Sequence, residues 1–423
     1  MDIAAACRDM FKLNAVEAFG GRFHVPCADD YPCLFAWDSG YHALALRNLD
    51  RAAAVSELAT LYQANTTESG LLAHERPIPV AAERTQFVVD TIGPIYRPDL
   101  RSWLIDPPVA AFAAAELFDV GGDIGLLECA SRHLIAIDRV RTFAPGELPV
   151  ILHPLESGAD ASPLFDALVD VSSQNGYIAQ LHDLSHALAA CEGVLDRSAP
   201  SRHPFIVIDP IFCGWYLLAL EAVASAWSRA GDEAKEDEFG ARARSIAGQM
   251  CAHLWSERHV LFVGLDRVGR RRLDVATLGG IVAAASTAMA AAGFGSQVAA
   301  THLDLASSVF WGAAGIAFNP MGATTRYDEG MLWRGAVASG ATQYWSWLVA
   351  TRNGAQLAAN RFRTQLLSLI EQSGFREFYD AQTGKGLGAG VPTGFTWPAL
   401  VLDMKAPNGA AVDRAQQSPP AAT

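Results

Sequence analysis

The chain has 423 residues and a formal net charge of −13 at pH 7; 51% of its residues are apolar and 18% are charged. This apolar content allows a large buried core and excludes a globally disordered chain. The negative charge and the absence of nucleic-acid-binding motifs disfavour nucleic acid and anionic membrane surfaces as partners.

The seven cysteines are odd in number, widely spaced and contain no Cys-x-x-Cys pair, a pattern that needs no explanation in a reducing compartment. The first residues carry charges at Asp2, Arg8, Asp9 and Lys12, so they lack the apolar segment of a signal peptide. No stretch reaches the roughly 20 uninterrupted apolar residues of a membrane span. We therefore expect a cytoplasmic protein.

The apolar pattern predicts helices along nearly the whole chain. Segment 209–230 is apolar almost all round, which is typical of a helix packed on two sides. One β-hairpin is predicted at 259–274, with Gly264 and Gly269 as turn residues. The predicted helices cover residues 2–17, 39–63, 107–118, 122–141, 173–195, 209–230, 234–255, 275–292, 295–308, 336–351, 354–372 and 395–404.

Twelve predicted helices without an obvious linker favour six helical hairpins in a single domain over residues 1–405. We expect an all-α protein, an α/α six-barrel of two concentric rings, because such rings bury an all-apolar helix better than a four-helix bundle does. Long loops between the helices are the expected carriers of function. The Pro-, Ala- and Gln-rich tail, 406–423, is predicted to be disordered.

Two loop carboxylates are candidate catalytic groups. Asp160 lies between Gly158 and Ser162-Pro163, in a segment that glycine and proline keep out of a helix. The alternative for Asp160 is an ordinary turn or helix cap. Glu377 follows Arg376 and precedes aromatic residues, which raise a carboxyl pKa by desolvation. Its alternative is a surface ion pair with Arg376.

A third group of residues is suited to binding a sugar. Trp37 and Asp38 combine a flat apolar surface with a hydroxyl acceptor, which suits a pyranose ring. The alternative is that Trp37 belongs to the core and that Asp38 or Ser39 caps the helix 39–63. Trp333 and Arg334 precede a helix, and His74 lies in a loop.

Two other aspartates and the histidines have simpler interpretations. Asp106 and Asp209 precede prolines and are interpreted as helix caps. No His, Cys or Asp cluster has metal-ligand spacing, and no Gly-x-Ser-x-Gly motif is present, so we expect neither a metal nor a cofactor.

Five segments, taken in order, resemble glycoside hydrolase family 63 and its relatives, which include α-glucosidases, glucosylglycerate and mannosylglycerate hydrolases and, more distantly, trehalases. The resemblance runs from Tyr31 to Met404. The matching segments are Tyr31-Pro32 with Trp37-Asp38-Ser39-x-Tyr41, Glu-Ser-Gly-x-Asp-x-Ser-Pro at 156–163, Trp-Arg-Gly at 333–335, Glu-x-Tyr-Asp-x-x-Thr-Gly-x-Gly at 377–386 and Phe-Thr-Trp at 395–397.

The resemblance implies an α/α six-barrel and a hydrolysis that inverts the anomeric centre, with Asp160 as general acid and Glu377 as general base. It implies a small carbohydrate substrate, an α-glucoside or α-mannoside such as glucosylglycerate or mannosylglycerate. The residues expected to bind this substrate are Tyr31, Trp37, Asp38, Tyr41, His74, Gly158, Trp333, Arg334 and Trp397.

The chain departs from the family pattern at several positions. Ala336, Ala338 and Thr342 replace an aromatic and polar pattern after Trp-Arg-Gly, and Asp106 replaces a glutamine. These changes leave two alternatives open: a repurposed biosynthetic enzyme of the epimerase or cyclase type, or a sugar-binding protein without hydrolytic activity.

A glycerate carboxylate would need a cationic partner in the loop 64–106. The alternative is that the arginines of this loop are solvated surface charges. The candidates are Arg76, Arg84, Arg97 and Arg101.

Overall fold

The computed structural model describes residues 1–119, 123–323 and 325–405, and the predicted disordered tail therefore lies outside the described residues. The α-helices are α1 (Ile3–Leu13), α2 (Ala36–Leu46), α3 (Arg51–Asn65), α4 (Ala82–Ile92), α5 (Val109–Leu117), α6 (Ile124–Val140), α7 (Gln174–Ala190), α8 (Pro210–Ala230), α9 (Glu233–His253), α10 (Thr287–Ala291), α11 (Phe294–His302), α12 (Gly340–Arg352) and α13 (Gln356–Ser373). Short 3-10 helices cover Pro154–Ser157, Pro163–Phe165, Pro200–Arg202, Leu278–Ala285 and Trp397–Leu402.

The strands are short and form small antiparallel sheets of two or three strands. They are β1 (Ala15–Ala18), β2 (Gly21–His24), β3 (Cys33–Phe35), β4 (Glu75–Pro77), β5 (Val207–Ile208), β6 (Trp255–Ser256), β7 (Leu261–Phe262), β8 (Gly264–Asp266), β9 (Arg271–Leu273), β10 (Val337–Ala338), β11 (Phe378–Asp380) and β12 (Gly386–Leu387). The sheet orders are β1-β2, β3-β4, β5-β8-β9, β6-β7 and β10-β11-β12.

Six segments contact one another in a closed cycle. In order around the cycle they are α2, α5, α8, the 3-10 helix Leu278–Ala285, α12 and the 3-10 helix Trp397–Leu402, which returns to α2. Each has an additional helix packed against it: α3 on α2, α6 on α5, α9 on α8, α11 on Leu278–Ala285, α13 on α12 and α1 on Trp397–Leu402. This mostly helical arrangement is consistent with the predicted α/α barrel.

Helix α8 lies in this inner cycle, as its all-round apolar sequence predicts. Asp209 caps it by accepting hydrogen bonds from the amides of Ile211 and Phe212 at 2.9 and 2.8 Å. By length and composition alone α8 could cross a membrane. However, 72% of its most apolar stretch is buried inside the fold. It is therefore a core helix, with the predicted cap at its start.

Several predicted boundaries are wrong. The helix predicted at 39–63 is two helices, α2 and α3, because Asp50 caps a new helix by accepting from the amides of Ala52 and Ala53. The loop predicted at 64–106 contains α4. In the hairpin region Gly264 is a strand residue rather than a turn residue, and β9 pairs with β8.

The prediction at 275–292 is also partly wrong. Leu278–Ala285 is a 3-10 helix, and α10 follows it. A Cβ atom on Gly280 would lie 2.3 Å from the carbonyl oxygen of Phe262, so this segment passes close to β7. Glycines permit this approach, but they also weaken a regular α-helix.

Candidate active site

Asp160 and Glu377 line two adjoining cavities of about 250 and 450 Å³ respectively. Side chains common to both cavities are Tyr31, Arg84, Phe87, Glu329 and Leu332. Because the cavities share these walls, the two carboxyl groups face one cleft. Its size is typical of a site for a small molecule.

The loop that carries Asp160 is anchored by a buried ion pair. Both guanidinium Nη atoms of Arg141 lie 2.6 Å from the carboxylate oxygens of Glu156, and both side chains are fully buried. The Glu156 carboxylate also accepts from the amides of Ile105 and Leu152, at 3.1 and 2.7 Å. Since its charge and lone pairs are satisfied, Glu156 can remain buried and fix the loop four residues before Asp160.

Arg334 anchors the other end of the same loop. Its guanidinium forms a two-pronged ion pair with Asp166, at 2.7 and 2.9 Å, and donates to the carbonyl of Ala161 at 3.2 Å. Tyr177 donates to the backbone carbonyl of Asp160 at 2.8 Å. The structure therefore places Arg334 in contact with the Asp160 loop; the predicted contact between Arg334 and substrate stays a prediction.

Gly158 lies directly against the ring of Trp37. A Cβ atom at this position would approach ring carbon Cη2 to 2.5 Å, and the backbone has φ +73°. Both the space and the conformation require glycine. The Asp160 loop is thus seated on the indole of Trp37, which is itself buried.

Glu377 is 4% exposed and forms no ion pair with Arg376, so the surface-pair alternative is wrong. The Tyr31 hydroxyl donates to its Oε1 at 3.2 Å, and the Ala389 amide donates to its Oε2 at 3.0 Å. Burial and, to a smaller extent, the charge of Asp160 raise its pKa, these two hydrogen bonds lower it, and the resulting pKa is about 7.

Asp160 also has a raised pKa, about 7, chiefly because burial disfavours its charged form. Nearby His74 lowers this pKa, whereas Asp106 raises it. Asp160 lies in a turn, in which the Ser162 amide donates to the carbonyl of Ala159 at 2.9 Å, so the turn alternative is correct for its backbone. It caps no helix, and its side chain is partly exposed to the cleft. The cleft therefore contains two carboxyl groups that both titrate near neutral pH.

His74 lines the cleft and forms a close pair with Asp106. Its Nδ1 lies 2.6 Å from Oδ1 of Asp106, whose Oδ2 accepts from the Trp37 amide at 3.0 Å. Burial lowers the pKa of His74, but the Asp106 carboxylate outweighs it and raises the pKa to about 9. The interpretation of Asp106 as the cap of α5 is wrong, because Pro108 occupies the cap position without a side-chain bond.

Asp38 is buried and accepts a hydrogen bond from Nε1 of Trp397 at 2.7 Å. Burial raises its pKa well above the usual aspartate range. Helix α2 begins at Ala36 with Phe35 in the cap position, so neither Asp38 nor Ser39 caps it. The capping alternative is therefore wrong.

Most of the predicted aromatic binding residues lie in the core behind the cleft wall. Trp333 is 2% exposed and stacks on Trp345, with ring centroids 6.1 Å apart and an angle of 3° between the planes. Tyr41 accepts from Nε1 of Trp345 at 2.8 Å, and Trp37 and Trp397 pack in the same cluster. Of the residues predicted to bind substrate, Tyr31 and His74 line the cleft directly.

The departures after Trp-Arg-Gly have structural roles. Ser339 accepts from the Thr342 amide at 3.1 Å, and the Thr342 hydroxyl accepts from the Ser339 amide at 2.9 Å. This reciprocal cap starts α12. Ala338 pairs with Tyr379 in the small sheet that also carries the backbone after Glu377.

Several residues that line the cleft belong to none of the predicted sites, including Phe87, Tyr177 and Glu329. Phe87 lies on the unpredicted helix α4, and the amphipathic pattern of residues 82–92 is the sequence signal that could have indicated this helix. Over residues 1–119, 123–323 and 325–405, no group of three or more His, Cys, Asp or Glu side chains could hold a metal ion.

A helical barrel whose cleft contains two carboxyl groups is an arrangement typical of glycoside hydrolases. The sequence model of the mannosylglycerate hydrolase MGH1-like glycoside hydrolase domain matches residues 31–398. The chain belongs to this GH63-type family, which is distantly related to trehalase.

Two curated relatives are similar over almost their whole length. A mannosylglycerate hydrolase of Thermus thermophilus is 26% identical, over 92% of this chain and 99% of the relative. That of Rubrobacter radiotolerans is 25% identical, over 95% of this chain and 96% of the relative.

Solved structures have the same fold. The GH63 mannosylglycerate hydrolase from another strain of Thermus thermophilus, in complex with Tris and D-glycerate, aligns with a TM-score of 0.76 at 22% identity, covering 95% of this chain and 99% of that one. The same enzyme in complex with glucose gives a TM-score of 0.75 at 21% identity, covering 96% and 99%. The neutral trehalase Nth1 of Saccharomyces cerevisiae gives 0.55 at 14% identity, covering 95% and 79%.

Proposed function

We propose that the protein is an inverting α-glycosidase that hydrolyses a small α-mannoside or α-glucoside with an anionic aglycone. The observation that carries this proposal is the presence of Asp160 and Glu377 in one cleft, both with a pKa near neutrality. An inverting hydrolase needs one protonated and one ionised carboxyl group, with a water molecule beside the ionised one.

The surroundings of the two carboxyl groups support the assignment of acid and base. Glu377 accepts hydrogen bonds from Tyr31 and Ala389, which stabilise its ionised form. Asp160 receives no side-chain hydrogen bond from the described residues, although the nearby charge of His74 lowers its pKa. When the pair holds a single proton, this difference favours its location on Asp160. Asp160 then protonates the leaving oxygen, while Glu377 removes a proton from the attacking water.

The arginines of the segment 64–106 differ in the contacts that their guanidinium groups already make within the protein. Arg76 donates to the carbonyl of Ala64, Arg97 stacks on Trp103 at 3.9 Å, and Arg101 pairs with Asp99. Arg84 is half-buried and lines both cavities; it lies over the Phe87 ring at 5.5 Å and makes one long hydrogen bond, 3.4 Å, to the carbonyl of Asp30. It is the arginine of this segment best placed to bind a carboxylate in the cleft.

An anionic aglycone suits this site for a second reason. His74 faces the cleft with a raised pKa, so at neutral pH it is protonated, paired with Asp106 through Nδ1 and able to donate from Nε2. The mannosylglycerate hydrolase of Thermus thermophilus has been solved with D-glycerate and with glucose. Mannosylglycerate and glucosylglycerate are therefore the first substrates to test.

The test compares mannosylglycerate, glucosylglycerate and the neutral methyl α-mannoside with wild-type protein and the Arg84→Gln variant. We expect wild type to prefer the glycerate compounds, and Arg84→Gln to raise KM for them at least tenfold without changing KM for the neutral glycoside. Arg244→Gln, an exposed arginine of α9, is the control for the loss of one charge. Equal effects of both variants would reject the role of Arg84, and no hydrolysis of any α-glycoside would reject the proposed function.

A further inference from the structure

A cavity of about 500 Å³, separate from the catalytic cleft, lies between α1, the hairpin β1–β2 and the start of α3. It has no lining residue in common with either cavity of the cleft. We propose that this cavity is a second binding site and that it binds a small oxyanion of the phosphate type.

The first observation is the charge of the cavity wall. Arg8 and Arg22 are exposed side chains and form no ion pair with any described residue. Lys12 is also in the wall, and its ammonium group lies 2.9 Å from Asp9. The carboxylate in the wall, Asp50, already accepts hydrogen bonds from two amides of α3. Three cationic residues thus line one concavity, two of them without an ion-pair partner among the described residues, although the chain as a whole carries −13.

The second observation is an incompletely bonded histidine in the same wall. His24 is 7% exposed, and both its backbone amide and its Nδ1 bond to Oε2 of Glu57, at 2.9 and 2.8 Å. Its other ring nitrogen, Nε2, has no hydrogen-bond partner among the described residues. This nitrogen is not among the fully buried polar atoms, so it is accessible from the cavity.

Glu57 determines how this histidine behaves. It is fully buried, and burial would raise its pKa, but His42 and His24 outweigh this effect and lower the pKa to about 2. The buried carboxylate therefore needs a positive charge beside it. His42 uses its Nδ1 for Glu57 and its Nε2 for Thr396, at 2.9 and 2.7 Å, and burial lowers its pKa.

His24 is the ring that meets both the carboxylate and the cavity. Because the Glu57 carboxylate can only accept, Nδ1 of His24 carries the proton of this hydrogen bond, and Nε2 faces the cavity. A bound phosphate would pair with Arg8 and Arg22, and its protonated oxygen would donate to Nε2 of His24. A phosphate group, with several acceptor oxygens and at least one full charge, matches this set of donors.

The test is calorimetric titration of the full chain with inorganic phosphate at pH 7, with chloride adjusted to keep the ionic strength constant. We expect saturable binding, at least tenfold weaker in the double variant Arg8→Gln/Arg22→Gln. Both arginines are exposed, so the variant should fold, which circular dichroism checks. A second titration with mannose 6-phosphate distinguishes the source: tighter binding than phosphate assigns the site to a sugar phosphate, and equal or weaker binding assigns it to free phosphate.

Arg51→Gln is the matched control. Arg51 begins the same helix α3, but its guanidinium pairs with Asp119 at 2.9 Å and lies outside the cavity wall. Arg51→Gln should retain the affinity of wild type. The proposal is overturned if neither anion binds saturably, or if the double variant and Arg51→Gln lose the same affinity, which would indicate only diffuse attraction.

Discussion

The hydroxyl of Tyr31 lies 3.2 Å from Oε1 of Glu377 and joins two loops that are 346 residues apart. This hydrogen bond lowers the pKa of Glu377 against the larger effect of burial. It links the first segment of the family resemblance, at Tyr31, to the segment that carries the proposed base.

Tyr31→Phe should move the acidic limb of the kcat/KM profile to higher pH. Without the donated hydrogen bond, the ionised form of Glu377 is less stable, so a higher pH is needed to generate the base. We expect kcat to fall about tenfold at pH 6 and less at pH 8. The measurement is a pH–rate profile from pH 5 to 9.

Tyr62→Phe is the control for Tyr31→Phe, because the buried hydroxyl of Tyr62 has no hydrogen-bond partner among the described residues. It should leave the profile unchanged. An unshifted acidic limb in Tyr31→Phe would show that this tyrosine does not act through Glu377.

Glu377→Gln should stabilise the protein at alkaline pH while removing its activity. The folded-state pKa of Glu377 is raised from 4.5 to about 7, so the carboxyl group favours folding fully below pH 4.5 and this contribution is lost as the pH rises through 7. The neutral glutamine avoids that loss. At pH 8 the gain in unfolding free energy has an upper limit of about 3 kcal/mol, and it should shrink toward pH 5.

Chemical denaturation at pH 5 and pH 8 measures this difference. Glu371→Gln, at an exposed position of α13, serves as the reference and should show little change at either pH. A Glu377→Gln variant that is less stable than wild type at pH 8 would mean that the carboxylate is better solvated or paired than its burial implies.

Asp160→Asn and Glu377→Gln should respond differently to the leaving group. A 4-nitrophenolate needs no proton to depart, whereas the alkoxide of a natural aglycone does. Asp160→Asn should therefore lose about a thousandfold or more on a glyceryl glycoside and much less on the 4-nitrophenyl glycoside of the same sugar. Glu377→Gln should lose activity on both. The reverse pattern would exchange the two roles.

Gly158→Ala should disrupt the packing of the Asp160 loop against the Trp37 ring. The added methyl group would meet the Trp37 ring at 2.5 Å in a backbone conformation with φ +73°, so the loop must shift. We expect a loss of about 1–3 kcal/mol in unfolding free energy and a fall in kcat of at least tenfold. Thermal denaturation and steady-state kinetics provide the two measurements.

Gly248→Ala is the matched substitution, because nothing lies within 4 Å of a Cβ atom at this helical position. It should be neutral or slightly stabilising. Normal activity in Gly158→Ala would show that the Asp160 loop tolerates displacement from Trp37.

Local signals predicted part of this molecule well. The Asp209-Pro210 cap and the all-round apolar face of α8 are properties of neighbouring residues, and both are confirmed. The division between α2 and α3 depends on Asp50, whose capping role competes with a continuous apolar pattern. Such boundaries are decided by one side chain and are easily missed.

The geometry of the candidate site depends more on contacts between segments that are distant in the sequence, which local signals do not predict. Nothing near Glu156 in the sequence indicates that Arg141 neutralises it, or that Arg334 is paired with Asp166. The Trp-Arg-Gly motif predicts a substrate contact at Trp333, whereas the side chain of Trp333 belongs to a buried aromatic cluster. Motifs identified the segments that meet at the cleft, whereas burial and pairing could be read only from the fold.

The most direct test of the central claim is to follow hydrolysis of mannosylglycerate or glucosylglycerate by proton NMR during the first minutes of the reaction. With Asp160 as acid and Glu377 as base acting on water, the released sugar should appear first as its β-anomer and then mutarotate. First appearance of the α-anomer, or no release of sugar from any α-glycoside, would contradict the account.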